Sequence, residues 1–190
     1  MSQLVLRKFI RDIVFYVLLD CVKVFNHNTT GGLFSSAEDA LHKNSYNPKA
    51  DLYSILDQLE DFRNAEGKFH FKLCYLERIG IGGKSCNEWI QSSNPATESD
   101  ITDFQAISLA FNKTGLQRGW TGLGRNTQNY VEERALIDEA PTHGYWFMAV
   151  GAFGFWPSIK DGTIPGPWFD PSGQMAQSSA IKIVELYVCF

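Results

Sequence analysis

Hydrophobic and polar residues alternate in the segment from Lys68 to Pro95, on both sides of a glycine cluster. Apolar side chains occupy every second position of its first half, at Phe69, Phe71, Leu73 and Tyr75. This period of two is typical of a half-buried strand. Gly80, Gly82 and Gly83 then favour a reversal of the chain, and the stretch CNEWIQ (86–91) leads back. The pattern predicts a β-hairpin.

Further strand patterns occur along most of the chain. They are VKVF (22–25), ITDFQAISLAF (101–111), WTGLGRN (120–126), ALIDEA (135–140), YWFMAVGAF (145–153) and IKIVELYV (181–188). In the segment 101–111 each face of the predicted strand has both apolar and polar residues. The pattern therefore does not decide between two pairing registers that differ by one residue. The segment 145–153 is apolar on both faces, which indicates a central strand.

Two helices are predicted beside the strands. Ser36 precedes AEDALHKN, which has acidic residues in its first turn and is typical of a helix start. Apolar residues then recur at helical spacing, at Leu52, Ile55, Leu56, Leu59 and Phe62, which predicts an amphipathic helix over 52–62. The fold class predicted from these patterns is mainly β, an antiparallel β-sandwich (jelly-roll-like) with one or two packed helices.

Composition supports this fold class and bounds the partners. The 190 residues include 14% aromatic residues, 16 glycines and 7 prolines, a mixture that favours sheets and turns over a helical bundle. The net charge is −4 and no run of Lys and Arg follows Lys8, so nucleic acid is not an expected partner. We expect a single β-rich domain over 21–190 and an N-terminal extension over 1–20.

The N-terminal extension over 1–20 indicates in which cellular compartment the protein is expected. Arg7, Lys8 and Arg11 precede an apolar run over Ile13–Leu19, which is the order found in a signal peptide, although small residues are missing at the expected cleavage site. A buried strand or short helix of the fold is the alternative. Because the run is too short for a transmembrane helix, no stable membrane span is expected.

Four cysteines allow three pairings. We favour Cys74 with Cys86 across the hairpin, which leaves Cys21 with Cys189 to join the first strand to the last in an oxidising compartment. The alternative is four reduced core cysteines in a cytosolic protein. Zinc is disfavoured because no C-x-x-C or H-x-x-x-H spacing occurs.

Several motifs between Val22 and Val188 resemble a family of uncharacterised secreted domains of corals, sea anemones and other marine invertebrates. They are TTGGLFSSAEDAL, ADLYSILDQLEDFR, FHFKLCY, CNEWIQSSNPATES, Trp120 to Leu123, YWFMAVGAF, IPGP and VELYV. The resemblance implies an extracellular, disulfide-bearing domain used beside adhesive modules. The final VELYV is also similar to the last strand of discoidin-like, galactose-binding sandwiches.

The candidate ligand site is a set of loop aromatics with polar neighbours. A sugar has an apolar face ringed by hydroxyls, so it is bound by an exposed ring flanked by planar polar groups. Trp120 with Arg118, Arg125 and Asn126 meets this description, as does Trp168 with Asp161 in the proline-rich loop 157–174. Core or rim packing is the alternative for Trp120 and Trp168, and it is the favoured role for Trp89 and Trp146, which lie inside predicted strands.

Other chemistry is weakly represented in the chain. Its four histidines lie in unrelated contexts, and no hydrolase, metalloprotease or nucleotide-binding motif occurs. No cofactor is predicted, although Asp161 and Asp170 would allow calcium. Asn28 and Asn112 begin N-glycosylation sequons.

These features predict an extracellular carbohydrate-binding or adhesive module with glycans or extracellular matrix as partners. Self-association into a homo-oligomer is a further option for this chain. The alternatives are a secreted structural matrix protein with no small-ligand site, or a chromophore-binding or small-molecule-binding protein or enzyme whose site carries no familiar motif.

Overall fold

A computed structural model describes residues 21–32, 34–78, 85–110, 120–126, 135–138, 164–165 and 180–190. The strands are β1 Cys21–Asn28, β2 His42–Lys43, β3 Leu52–Ile55, β4 Phe69–Arg78, β5 Ser85–Gln91, β6 Gln105–Leu109, β7 Gly124–Asn126, β8 Ala135–Asp138, β9 Ile164–Pro165 and β10 Ala180–Cys189. The helices are α1, Ala37–Leu41, and two 3₁₀ helices, Thr29–Gly31 and Leu56–Phe62.

Eight of the described strands form one antiparallel sheet. Seven follow one another in the order β2-β3-β1-β10-β4-β5-β6, and β9 pairs with β10. The first and last described strands, β1 and β10, are therefore neighbours near the middle of the sheet. β7 and β8 form a separate two-stranded sheet that is parallel. The prediction of a mainly β, antiparallel fold with few helices is confirmed.

One face of the large sheet is apolar and forms the core. In β4, Phe71 lies opposite Val188 of β10 and Trp89 of β5, and Leu73 lies opposite Leu186. All five side chains are fully buried. Apolar residues of α1, the 3₁₀ helix Leu56–Phe62 and the β7–β8 sheet join the same core, so the fold is sandwich-like. Burial of each such side chain contributes roughly 1.5–3 kcal/mol.

The hairpin predicted between Lys68 and Pro95 is confirmed as β4 and β5, whereas the glycines expected to turn it lie outside the described residues. The helix start at Ser36 is also confirmed, because the Ser36 hydroxyl accepts a hydrogen bond from the Asp39 amide at 3.0 Å.

In the described part of the chain, no helix is long and apolar enough to cross a membrane. The boundary between an extension over 1–20 and a single domain over 21–190 stays a prediction.

The helix predicted over 52–62 is wrong in its first third. Leu52–Ile55 is strand β3, which pairs with β1 and β2, and only Leu56–Phe62 is helical, as a 3₁₀ helix. The apolar spacing fits both structures, because Leu56 and Leu59 are buried in the 3₁₀ helix. Pairing with β1 overrides the helical period at the start of the segment.

Candidate functional site

Trp120 was predicted to be an exposed ring for ligand binding, and the structure contradicts this. Its side chain is only 2% exposed and packs edge-on against Trp89, with ring centroids 5.3 Å apart. Both rings belong to the hydrophobic core. The packing alternative therefore applies to Trp120, and the packing role predicted for Trp89 is confirmed, since Trp89 is fully buried.

A buried amide fixes the chain just after Trp120. Gln91 at the end of β5 accepts hydrogen bonds through Oε1 from the Trp89 indole at 2.7 Å and from the Leu123 amide at 3.1 Å. Its Nε2 donates to the Leu123 carbonyl at 2.9 Å. Gly122 has a φ of +99°, and a Cβ there would lie 2.6 Å from the Gln91 oxygen. Residues 120–123 are thus built into the core.

The other predicted ligand residues divide into two groups. Arg125 donates from Nη1 to the Ala96 carbonyl at 2.9 Å, and its amide donates to the Glu98 carbonyl at 2.7 Å, so it joins β7 to the turn after β5. Asn126 is the last residue of β7. The remaining residues lie outside the described residues, and their roles stay predictions: Arg118, Asp161 and Trp168 as ligand contacts, and Asp161 with Asp170 as calcium ligands. In the ranges that the structure describes, no group of three or more acidic, histidine or cysteine side chains is placed to hold a metal ion.

Of the two sequons, only the first lies in the described residues. The Asn28 side-chain oxygen accepts hydrogen bonds from the Thr30 amide at 3.1 Å and the Thr30 hydroxyl at 2.9 Å. The Asn28 side-chain nitrogen donates to Asp51 at 2.8 Å. Glycosylation at Asn28, like that at Asn112, stays a prediction.

The structure brings together a set of polar side chains that lies outside the predicted ligand site. On the sheet face opposite the apolar core, Lys23 of β1 lies opposite Tyr187 of β10, which lies opposite Lys72 of β4, which lies opposite Glu88 of β5. We call these four residues, with the adjacent Glu185 and His70, the polar row. Neighbouring strands are about 4.8 Å apart, so the row spans roughly 14 Å across four strands.

Hydrogen bonds and ion pairs hold the polar row together in two clusters. In the first, Lys23 donates to one oxygen of Glu185, and the Tyr187 hydroxyl donates to the other at 2.6 Å. The Lys23 ammonium is also 5.8 Å from the centre of the Tyr187 ring, within reach of a cation–π attraction. Burial, and secondarily the bond to Glu185, raises the pKa of the Tyr187 phenol. The phenol therefore remains a hydrogen-bond donor at neutral pH.

The second cluster is centred on Glu88. One of its oxygens lies 2.8 Å from Nε2 of His70 and the other lies 3.6 Å from the Lys72 ammonium. The side chains of His70, Glu88 and Glu185 are only 13%, 19% and 11% exposed. Ionisable side chains are rarely shielded to this extent unless they are paired, and each of these has its partner within the row.

Both disulfides are confirmed, and they flank the polar row on the same sheet face. Cys21 is bonded to Cys189 and Cys74 to Cys86, and each pair is directly opposite in its ladder. Cys21 is two residues from Lys23, and Cys74 is two residues from Lys72, so alternation along each strand places them on one face. The disulfides therefore link β1 to β10 and β4 to β5, the strands that carry the row.

The sequence indicates which side chains of each strand share the face of the polar row, but not which strands are neighbours. Alternation in KFHFKLCY places His70 and Lys72 on the face opposite the aromatic residues, and alternation in VELYV does the same for Glu185 and Tyr187. The pattern within each strand does not show that β10 lies between β1 and β4. That adjacency, which brings Lys23 and Lys72 to either side of Tyr187, is visible only in the sheet order.

The fold and its cross-links define the chain as a mainly β, sandwich-like domain with two disulfides and no free cysteine. Comparison with protein-family models, with curated proteins and with solved structures found no match to this chain. A function can therefore be argued only from the chain's own residues, and the polar row is the strongest candidate site among those that the structure describes.

Proposed function

We propose that the protein is an extracellular carbohydrate-binding or adhesive module whose ligand lies on the polar row. The observation that carries the proposal is the position of the Tyr187 ring, which lies between Lys23 and Lys72 in the strand register and is bonded to Glu185. A half-buried phenol offers both an apolar surface and a polar edge. Flanking ammonium and carboxylate groups supply donors and acceptors for sugar hydroxyls.

Rigidity of the row supports the same proposal. Binding costs less when the groups that contact a ligand are already ordered in the free protein. Both oxygens of Glu185 and both oxygens of Glu88 are held by neighbours within the row, and the disulfides fix the strands beneath them. Such a surface suits the recognition of a ligand whose hydroxyls have fixed directions, as those of a sugar ring have.

The cysteines support an extracellular location. All four are paired, and disulfides of this kind persist mainly in oxidising compartments. The two sequons agree with this location, since their glycosylation requires passage through the secretory pathway. The proposed compartment and the proposed ligand are independent of each other, so each needs its own experiment.

A glycan array probed with the full-length, disulfide-intact protein tests the binding function. We expect Tyr187→Ala to weaken binding at least about tenfold, since stacking on the ring and the bond to Glu185 are both lost. Tyr187→Phe keeps the ring and should have a smaller effect. Tyr46→Ala is the matched control, because Tyr46 is 87% exposed in a turn away from the row. Absence of binding to any glycan, or equal binding by the Tyr187→Ala and Tyr46→Ala variants, would refute the proposal.

A further inference from the structure

The first sequon begins at Asn28, the last residue of β1, and continues into the 3₁₀ helix Thr29–Gly31. The Asn28 side-chain oxygen accepts from the amide and the hydroxyl of Thr30, and the Asn28 side-chain nitrogen donates to Asp51. Thr30 and Asp51 are exposed, and Asn28 is half-buried. The asparagine and the threonine that define the sequon are therefore both ordered and accessible in the folded protein.

Asn28 keeps the hydrogen that glycosylation replaces. A side-chain amide nitrogen has two hydrogens, and Asp51 is the only acceptor for that of Asn28 among the described residues. In N-glycosylation, Nδ2 bonds to the anomeric carbon of an oligosaccharide that is carried on a lipid diphosphate. The bond from that carbon to the diphosphate breaks, the lipid diphosphate leaves with the electron pair, and one amide proton is released. The remaining amide hydrogen still serves Asp51, so the turn accommodates a glycan without losing this hydrogen bond.

The register of the sheet places Asn28 on the same face as the polar row. Asn28 lies opposite Ile183 of β10, as Lys23 lies opposite Tyr187. Side chains alternate along a strand, so Ile183, Glu185 and Tyr187 project from one face. At about 3.4 Å per residue, Asn28 is roughly 7 Å along the strand from the level of Glu185 and roughly 14 Å from that of Tyr187. An N-linked glycan of several sugar units is long enough to extend over this distance.

We propose that Asn28 carries an N-linked glycan and that this glycan competes with outside ligands for the polar row. The proposal rests on the proposed extracellular location and on the proposed sugar binding by the row. A tethered ligand has a high effective concentration at a site within its reach, in the millimolar range for a short flexible tether. The glycan on Asn28 therefore weakens the binding of other sugars, and its removal strengthens that binding. Occupancy of the sequon thus regulates the module.

Two substitutions at Thr30 separate the effect of the glycan from that of the turn. Thr30→Ser keeps the sequon and a hydroxyl, whereas Thr30→Ala destroys the sequon. In full-length protein made in the secretory pathway of eukaryotic cells, mass spectrometry should find a glycan on Asn28 in the wild type and in Thr30→Ser, but not in Thr30→Ala. On a glycan array, Thr30→Ala should bind at least about threefold more tightly than the other two. Enzymatic deglycosylation of folded Asn112→Gln protein, which has only the Asn28 sequon, replaces Thr30→Ala if that variant does not fold.

Trimming of the Asn28 glycan by exoglycosidases locates the contact. Tyr187→Ala should speed trimming at least about twofold, because the glycan no longer rests on the row, and Tyr46→Ala should leave the rate unchanged.

Three results would each overturn the inference and leave the proposed sugar binding intact. They are an unmodified Asn28, equal array binding by Thr30→Ala and Thr30→Ser, and equal trimming rates in the wild-type and Tyr187→Ala proteins. If no form of the protein binds any glycan, including Thr30→Ala, the proposed function fails and this inference fails with it.

Discussion

At the scale of single residues, one histidine with a lowered pKa is buried outside the polar row. His27 of β1 is 4% exposed and packs edge-on against Phe34. Its Nε2 is 3.1 Å from the Gly32 carbonyl, and Nδ1 has no hydrogen-bond partner among the described residues. Burial lowers the pKa of His27 to about 4, since a charged ring would be desolvated. The folded state therefore favours the neutral ring.

The lowered pKa of His27 predicts a loss of stability in acid. In the unfolded chain the imidazole binds a proton near its ordinary pKa of 6.5, whereas in the folded chain it stays neutral down to about pH 4. The unfolded state therefore binds more protons in this interval, and the free energy of unfolding falls as the pH falls through it, by about 3 kcal/mol in all. Above about pH 6.5 the ring is neutral in both states, and this loss of stability is absent.

Urea unfolding at about pH 7 and about pH 4 measures this effect in the wild-type protein and in His27→Gln. We expect the variant to be less stable at neutral pH but to lose less on acidification, because its side chain does not titrate. His42→Gln is the control, since the His42 side chain is 49% exposed. If the wild-type and His27→Gln proteins lose equal free energy between the two pH values, the burial of His27 does not control acid stability.

At the scale of elements, one arginine joins the 3₁₀ helix Leu56–Phe62 to the ends of β4 and β5. Arg63 Nη1 donates to the Gly67 carbonyl at 2.8 Å and to the Ser92 carbonyl at 2.6 Å. Its Nε and Nη2 donate to the two oxygens of Glu60, at 2.6 and 2.9 Å. The guanidinium also lies 4.2 Å from the centre of the Phe69 ring. The hydrogen bond from Arg63 is the main cause of a lowered pKa for Glu60.

Arg63→Ala should destabilise the protein by about 2 kcal/mol, because two backbone acceptors and the Phe69 ring lose their partner. Arg63→Lys should recover less than half of this loss. The planar guanidinium reaches both carbonyls and the carboxylate at once, whereas a compact ammonium does not. Urea unfolding of both variants and of the surface control Lys49→Ala measures the differences. Equal stability of Arg63→Lys and the wild-type protein would show that charge alone matters at this position.

Sequence patterns predicted the elements well wherever burial alternates regularly. Phe69, Phe71 and Leu73 alternate with polar residues, and they form β4 as expected. The segment 52–62 was predicted less well, because its apolar spacing of three and four residues fits a helix, whereas Tyr53 and Ser54 are buried by pairing in the sheet. Pairing between distant strands depends on contacts that a local window does not contain.

At the scale of the whole molecule, sheet order decides which residues meet. The sequence predicted both disulfides correctly but placed the ligand site at Trp120, because a tryptophan between glycines resembles an exposed loop residue. The structure buries this ring against Trp89. Conversely, Lys23 and Tyr187 are distant in sequence and become neighbours only because β1 pairs with β10. The polar row is therefore a property of the assembled sheet.

The same long-range pairing predicts that the two disulfides stabilise the protein unequally. When a disulfide stabilises by restricting the conformational entropy of the unfolded chain, the effect grows with the length of the closed loop. Cys21 and Cys189 are 168 residues apart, whereas Cys74 and Cys86 are 12 apart. Removal should therefore cost about 5 kcal/mol for the first pair and about 3 kcal/mol for the second.

The double variants Cys21→Ser/Cys189→Ser and Cys74→Ser/Cys86→Ser are matched controls for each other. Each places one serine at a fully buried position, Cys189 or Cys74, so the cost of burying a hydroxyl is similar in the two. Their free energies of unfolding in urea should then differ by about 2 kcal/mol, with the Cys21→Ser/Cys189→Ser protein the less stable. Equal losses would mean that local packing around each disulfide, and not the closure of the sheet from β1 to β10, determines its contribution.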